Sequence, residues 1–301
     1  MSKTPLPSLK PEDIVASALN EQGYLFQHRV LDVIHTNARA DQWGDTWAVE
    51  AFEVPVSLPN HDGTRIDIVL RHKKQGSPWR VIVECKRAAP DYKRWVFFGQ
   101  NQIGAGPSPN HYYIEHANLA GTWDHNTESE PKMSHGLDRR GAASDHSAYD
   151  FGVEARLNRA EHSKRVSATD TIESALHQVT LGQAGLALKL RAAHELTINL
   201  IPVVVTTAEL TSADFNPESV SLSYGLIDPK DLKLQSRKWL AVNYRTSDVF
   251  CQYSRFTTLT QQSVGDHVRM WQVRTVFVVQ AEHVLEFLAW LDKHFAIGLL
   301  T

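Results

Sequence analysis

The run Leu200-Ile-Pro-Val-Val-Val-Thr206 constrains the fold more than any other stretch of this sequence. It is mostly apolar and β-branched, of strand length, without the alternation of a strand that has one wet face. That is the pattern of a strand buried on both sides. Such a strand needs cover over both faces of its sheet, so the chain should build an α/β layered core. Pro202 argues the other way, because proline cannot donate to a ladder and fits best at a strand's start or on an edge.

The flanking periodicities supply the cover. Ile14, Val15, Ala18 and Leu19, then Gly23, then Phe26, Val30, Val33 and Ile34 predict one broken helix or two short ones over residues 11 to 37. Three strand-like runs follow, Trp47 to Leu58, Thr64 to Arg71 and Trp79 to Lys86. Turn chemistry separates them at Asp62-Gly63 and at Gln75-Gly-Ser-Pro78. In the second run Ile66, Ile68 and Leu70 should share one face, and Arg65, Asp67, Val69 and Arg71 the other. Beyond Asp170-x-x-Glu173, a capping-box pattern, Ile172, Ala175, Leu176, Val179, Leu186 and Leu190 form a helical stripe. Gly182 and Gly185 within it each cost about 1 kcal/mol relative to alanine, a cost that close packing on a sheet would offset. A strand at Thr275 to Val279 and an amphipathic helix carrying Val284, Phe287, Leu288 and Leu291 complete the core.

Residues 90 to 167 lose periodicity among Gly, Pro, Asn, Ser and His. We read them as a partly ordered insertion in a single domain spanning 1–301, with strand at Tyr112 to Ile114 and helix at Val153 to Ala160. Deleting roughly residues 100 to 160 should then leave a foldable core.

Charge and cysteine content narrow the partners. A net charge of −3 gives no global field for a polyanion, so nucleic acid would have to meet a local patch. From Arg71 to Arg94 eight Lys/Arg stand against two acids. Lys233, Arg237, Lys238 and Arg245 bracket Trp239 and Tyr244, aromatics that could stack on bases. Cys85 and Cys251 make neither a disulfide framework nor a zinc site, and the histidines of 90–167 lack the spacing of metal ligands. No phosphate loop of the GxxxxGK[ST] type occurs. With no signal-peptide pattern and no run of about 18 apolar residues, a cytoplasmic location without membrane contact is expected.

Chemistry concentrates in Gly63-Thr-Arg-Ile-Asp67-Ile-Val-Leu and Val81-Ile-Val-Glu84-Cys85-Lys86. Phosphodiester cleavage draws on a divalent cation to polarise the phosphoryl group and acidify water. Mg²⁺ takes hard oxygen ligands and keeps several waters, so one or two carboxylates and a carbonyl suffice. Asp67 and Glu84 on adjacent strands would be those carboxylates, with the Cys85 backbone carbonyl as a third oxygen. Glu84 and Lys86 share a face of their strand, which sets the ammonium beside such an ion, while the Cys85 thiol points to the core.

An aspartate on the second strand, followed by a hydrophobic strand ending in Glu-x-Lys, resembles the signature of the PD-(D/E)xK nucleases. The resemblance covers residues 12–86 and 168–207, with Ile66-Asp67 where the signature has Pro-Asp. It implies a restriction-endonuclease-like fold, a mixed central sheet flanked by helices, with 90–167 inserted after the catalytic strand. It assigns Asp67 and Glu84 to Mg²⁺ or Mn²⁺ and Lys86 to catalysis. It further implies an acid from the first helix or first strand, for which Glu21, Glu50 and Glu53 are candidates, and a glutamine near the site, Gln178. The implied substrate is nucleic acid, DNA favoured over RNA, in restriction, repair or anti-phage defence, with a homodimer or an activating protein partner as the assembly. Two other classes stay open: a catalytically silent nucleic-acid-binding or scaffold protein with the same fold, and an enzyme of another phosphate-bearing substrate. Asp67, Glu84 and Lys86 could also be an ion-paired strand end worth about 0–1 kcal/mol.

Overall fold

The computed structural model describes residues 10–21, 23–39, 46–58, 62–74, 77–88, 93–99, 110–119, 133–141, 147–155, 171–193, 195, 197–246 and 273–295. The N-terminal stripe folds as two helices, α1 (Pro11–Glu21) and α2 (Tyr24–Arg39), and Gly23 between them takes a φ of 74° that suits glycine. Strands β1 (Trp47–Val56), β2 (Thr64–His72) and β3 (Trp79–Lys86) then run as the expected antiparallel meander.

The apolar run is β9 (Thr197–Thr206), buried at every residue after Thr197. It lies parallel to β3 over its whole length, from Trp79↔Asn199 to Lys86↔Thr206. Its other edge is shared by two strands. β5 (His111–Leu119) pairs with Thr197 to Leu200, and β13 (Val273–Gln280) pairs with Val203 to Thr206. Pro202 falls in the gap between them. The Asn199 N–H donates to Pro78 and the Thr207 N–H to Lys86, so odd-numbered amides face β3 and even-numbered ones face the gap. The missing N–H of Pro202 therefore interrupts no ladder, which reconciles a proline with a central strand.

Beyond β13 the sheet continues through β12 (Trp239–Arg245) to β7 (Ala148–Tyr149), and β6 (Met133–Gly141) pairs with β5. Among the described residues this sheet has nine strands. A second, four-stranded sheet has the order β11 (Lys233–Arg237), β10 (Glu209–Asp214), β4 (Arg94–Phe98), β8 (Phe151–Ala155). Helices cover both faces of the larger sheet, giving a mixed α/β fold with a flanked central sheet. Val30 and Ile34 of α2 pack on one side with Phe287, Leu288 and Leu291 of α4 (Val284–Phe295). On the other side Ile172, Ala175, Leu176 and Val179 of α3 (Thr171–Ala192) meet Ile82, Val204 and Val278. No helix among the described residues is long and apolar enough to cross a membrane.

Close approach explains the glycines of α3. A Cβ on Gly182 would lie 2.9 Å from Ile66 Cγ1, and one on Gly185 would lie 2.7 Å from Val56 Cβ. Helix propensity yields there to sheet packing, as expected.

Three expectations need correction. The stretch 90–167 contributes five strands, β4 to β8, to the two sheets; the expected strand at Tyr112 to Ile114 lies within β5, and Tyr112 and Ile114 are fully buried in the core. Val153 to Ala155 belong to strand β8, not to a helix, because β8 pairs with β4 along its length; residues 156–160 lie outside the described residues. Finally, Ile66 does not share a face with Ile68 and Leu70. It packs with Val69 on the α3 side, whereas Ile68 and Leu70 face α2 and α4. The change of face falls at Asp67, where β2 parts from β3.

Candidate active site

Pairing between β2 and β3 runs from Arg71↔Arg80 to Ile68↔Val83 and stops there. Asp67 and Glu84 flank the opening. The Asp67 carboxylate takes over where the ladder ends, its Oδ2 accepting from the Cys85 N–H at 2.7 Å. β3 itself stays fixed, because its other edge pairs with β9 as far as Lys86.

Glu84 and Lys86 face α3, as the period of a strand requires. Lys86 Nζ lies 3.0 Å from Glu84 Oε1 and also donates to Gln178 Oε1. Gln178 is one turn before Gly182 on the same helical face, so the glycine that lets α3 approach the sheet also sets this amide over the lysine. Asp67, Glu84, Lys86 and Gln178 thus come together from two strands and a helix. The Cys85 thiol turns away and packs against the opposite core, as expected.

Glu53 joins them by an unusual route. The pairs Phe52↔Ile68 and Val54↔Ile66 bracket it, so it stands opposite Asp67. Its φ of 51° makes it the sole non-glycine with positive φ among the described residues, a conformation that costs about 1–2 kcal/mol. Its carboxylate accepts from Gln27 Nε2 of α2 and, at 3.1 Å, from Arg65 Nη1. The Gln27 amide also donates to the Asp67 carbonyl at 3.3 Å. Gln27 carried no signal in the sequence beyond its place on a helix. A bulge in β1 between Val49 and Ala51 precedes the distortion.

The electrostatics of the cluster are those of too many anions in too little water. Burial first, then the charge of Asp67, pushes the Glu84 carboxyl up to about 7, against the opposing pull of Lys86. Asp67 is also raised, chiefly by burial and in part by Glu53, with the Cys85 N–H working against it. Burial followed by the two neighbouring carboxylates lifts the Cys85 thiol well above its ordinary range, which leaves it unreactive. A single ammonium faces three carboxylates, and the donor set is all oxygen, which fits a hard divalent cation. Asp67, Glu84 and the Cys85 carbonyl would hold it. Among the described residues no three His, Cys, Asp or Glu side chains converge as a ready-made metal group. That follows from the contacts: Asp67 is turned to an N–H, Glu84 to an ammonium and Glu53 to Gln27 and Arg65.

Other candidates fall elsewhere. Glu50 is bound with Glu195 to the buried guanidinium of Arg80, at 2.7–3.1 Å, at the far end of β3. Glu21 ends α1, and its side chain lies outside the described residues. The basic run from Arg71 to Arg94 is not one patch. Arg71 lies towards the end of β2 remote from Glu84 and Arg80 is interior, leaving Arg87 and Lys93 just beyond Lys86. Trp239 is not a stacking platform either. It is buried against Phe287 and Trp290, while the Tyr244 hydroxyl donates to Glu173 and Lys238 pairs with Glu286. No protein-family model matches the chain, and neither a curated protein nor a solved structure matches it.

Proposed function

We propose that this chain is a metal-dependent nuclease of the PD-(D/E)xK type, hydrolysing phosphodiester bonds in nucleic acid, with DNA as the favoured substrate. One observation carries the reading: Asp67, Glu84, Lys86 and Gln178 meet where β2 parts from β3. Element order supports it, since helix, meander, covering helix and parallel apolar strand are those expected of a restriction-endonuclease-like core. Mg²⁺ or Mn²⁺ bound to Asp67, Glu84 and the Cys85 carbonyl would supply a Lewis acid for the phosphoryl group and the attacking water.

The remaining roles belong to the chain. Gln178 and Glu84 fix the Lys86 ammonium, which would orient the water and stabilise charge developing on the phosphoryl oxygens. The Cys85 N–H holds Asp67 in one orientation. Arg87 and Lys93, just past the catalytic strand, would meet backbone phosphates whatever the sequence. The rival reading, a silent nucleic-acid-binding or scaffold protein, draws on the lack of a ready-made metal group among the described residues.

Incubating the full chain with plasmid, linear and single-stranded DNA and with RNA, with Mg²⁺, Mn²⁺ or EDTA, tests the proposal. Cleavage should require the cation and disappear in Asp67→Ala and Glu84→Ala. Either variant cutting at the wild-type rate would remove the assignment, and binding without cleavage under every condition would favour the silent protein.

A further inference from the structure

Residues 215–232, which join β10 to β11, expose more apolar surface than a connection needs and hold it in one shape. Leu222 is fully exposed, Tyr224 is 80% and Leu226 68% exposed, and Leu234 is exposed on β11, an edge strand of the second sheet. Two backbone hydrogen bonds close the tip. The Ser221 N–H donates to the Leu226 carbonyl at 2.9 Å and the Gly225 N–H to the Ser221 carbonyl at 2.7 Å, with Gly225 at a φ of 62°. A short 3₁₀ turn stands on either side, each capped by the residue before its proline: Asn216 accepts from the Glu218 N–H and Asp228 from the Lys230 N–H. A loop fastened in this way keeps its conformation without packing, so little ordering entropy opposes its docking. Grouped exposed apolar side chains mark a contact site. The charge around them does not suit a polyanion, since Glu218, Asp228 and Asp231 outnumber Lys230 and Lys233.

The chain also carries a receptor for such a loop. Between α2 and β1 lies a cavity of about 640 Å³, with Leu31, Val49, Ala51 and Phe52 in its lining and the imidazoles of His28 and His35 among them. That volume is in the range that takes a small-molecule ligand, wide enough for a leucine and a tyrosine side chain together. The imidazoles offer hydrogen-bond partners to a phenol hydroxyl. Loop and cavity belong to opposite sides of the larger sheet. Trp95, Phe97 and Leu210 pack the second sheet on the α3 side, whereas the cavity adjoins α2.

We propose that the 215–232 loop of one copy seats Leu222 and Tyr224 in the α2–β1 cavity of a second copy of this chain. Because loop and cavity stand on opposite sides, the contact is heterologous: each molecule gives its loop to one neighbour and its cavity to another, and copies add head to tail. A loop in a cavity is a small interface, so assembly is reversible and follows concentration. The inference does not depend on the nuclease reading.

Sedimentation velocity of the full chain from about 1 to 100 µM, a range suited to a small interface, tests this. The mean sedimentation coefficient should rise with concentration in the wild type and stay at the monomer value in the double variant Leu222→Asp, Tyr224→Asp and in Phe52→Glu. His28→Trp, which fills the cavity from an exposed helix position, should also stay monomeric and serves if Phe52→Glu fails to fold. Mixed in equal amounts, the loop variant and a cavity variant should form a heterodimer and nothing larger, because one intact loop then meets one intact cavity. A wild type that stays monomeric throughout overturns the proposal, as does assembly that survives in the loop variant. A mixture that stays monomeric also overturns it, because loops would then be pairing with loops about a two-fold axis. A monomeric wild type whose loop variant loses DNA affinity in a gel shift would assign the loop to nucleic acid instead.

Discussion

With no cation bound, the Glu84 carboxyl is held up to about 7, against 4.5 for an ordinary glutamate. An acid whose pKa is raised by folding stabilises the fold while protonated, so this contribution is complete below about pH 4.5 and is lost as pH rises through about 7. In EDTA, the midpoint of thermal unfolding should therefore fall between pH 5 and 8, and Glu84→Gln should flatten that fall. Added Mg²⁺ should restore the wild-type midpoint at pH 8 and do little for the variant. A second residue prediction separates docking from chemistry. Lys86→Ala should cut cleavage by orders of magnitude and leave nucleic-acid affinity, read by gel shift, within a few-fold, since one ammonium is a small part of the phosphate contacts. Lys86→Arg should not restore the rate, because a planar fork cannot replace a compact charge between Glu84 and Gln178. At this scale the motif was readable because Asp67, Glu84 and Lys86 lie on one short hairpin with a fixed side-chain period. Gln27 was not. A positive φ on glutamate leaves no mark in a sequence, and neither does the pairing of Arg80 with Glu50 and the distant Glu195.

Helix α3 is seated by its two glycines, and they should respond differently to a methyl group. At Gly185 the nearest atom is Val56 Cβ at 2.7 Å, which is fixed to the backbone of β1; at Gly182 it is Ile66 Cγ1, which can rotate. Overpacking of a rigid contact costs about 1–3 kcal/mol, against about 1 kcal/mol gained in helix propensity. Gly185→Ala should thus lose stability in urea unfolding, and Gly182→Ala should lose less or break even. The glycines, the broken helix at Gly23 and the meander were all legible as elements, because their signals are local. The middle of β5 was expected at Tyr112 to Ile114, but β4, β6, β7 and β8 were not legible, since short runs such as Arg94–Phe98 gain their structure from partners far along the chain. Pro202 belongs with them: its tolerance depends on two strands that share one edge of β9 and leave a space between.

For the molecule as a whole, those strands change what a deletion should do. Removing residues 100 to 160 would take away β5, β6, β7 and β8, with Tyr112 and Ile114 out of the core. The shortened chain should show no cooperative melt and no near-ultraviolet dichroism; a sharp melt near the wild-type temperature would mean that the core closes without them. The order of the chain carries one more consequence, which concerns time. A ribosome delivers Glu53, Asp67, Glu84 and Lys86 within the first 86 residues, but Gln178 and strand β9 follow only about a hundred residues later. During that interval β3 has an open edge, its lysine lacks the amide that orients it, and α3 does not yet cover Glu84 and Lys86. A nascent chain therefore carries these groups in an unassembled state, and the proposed site forms only once its sheet has closed.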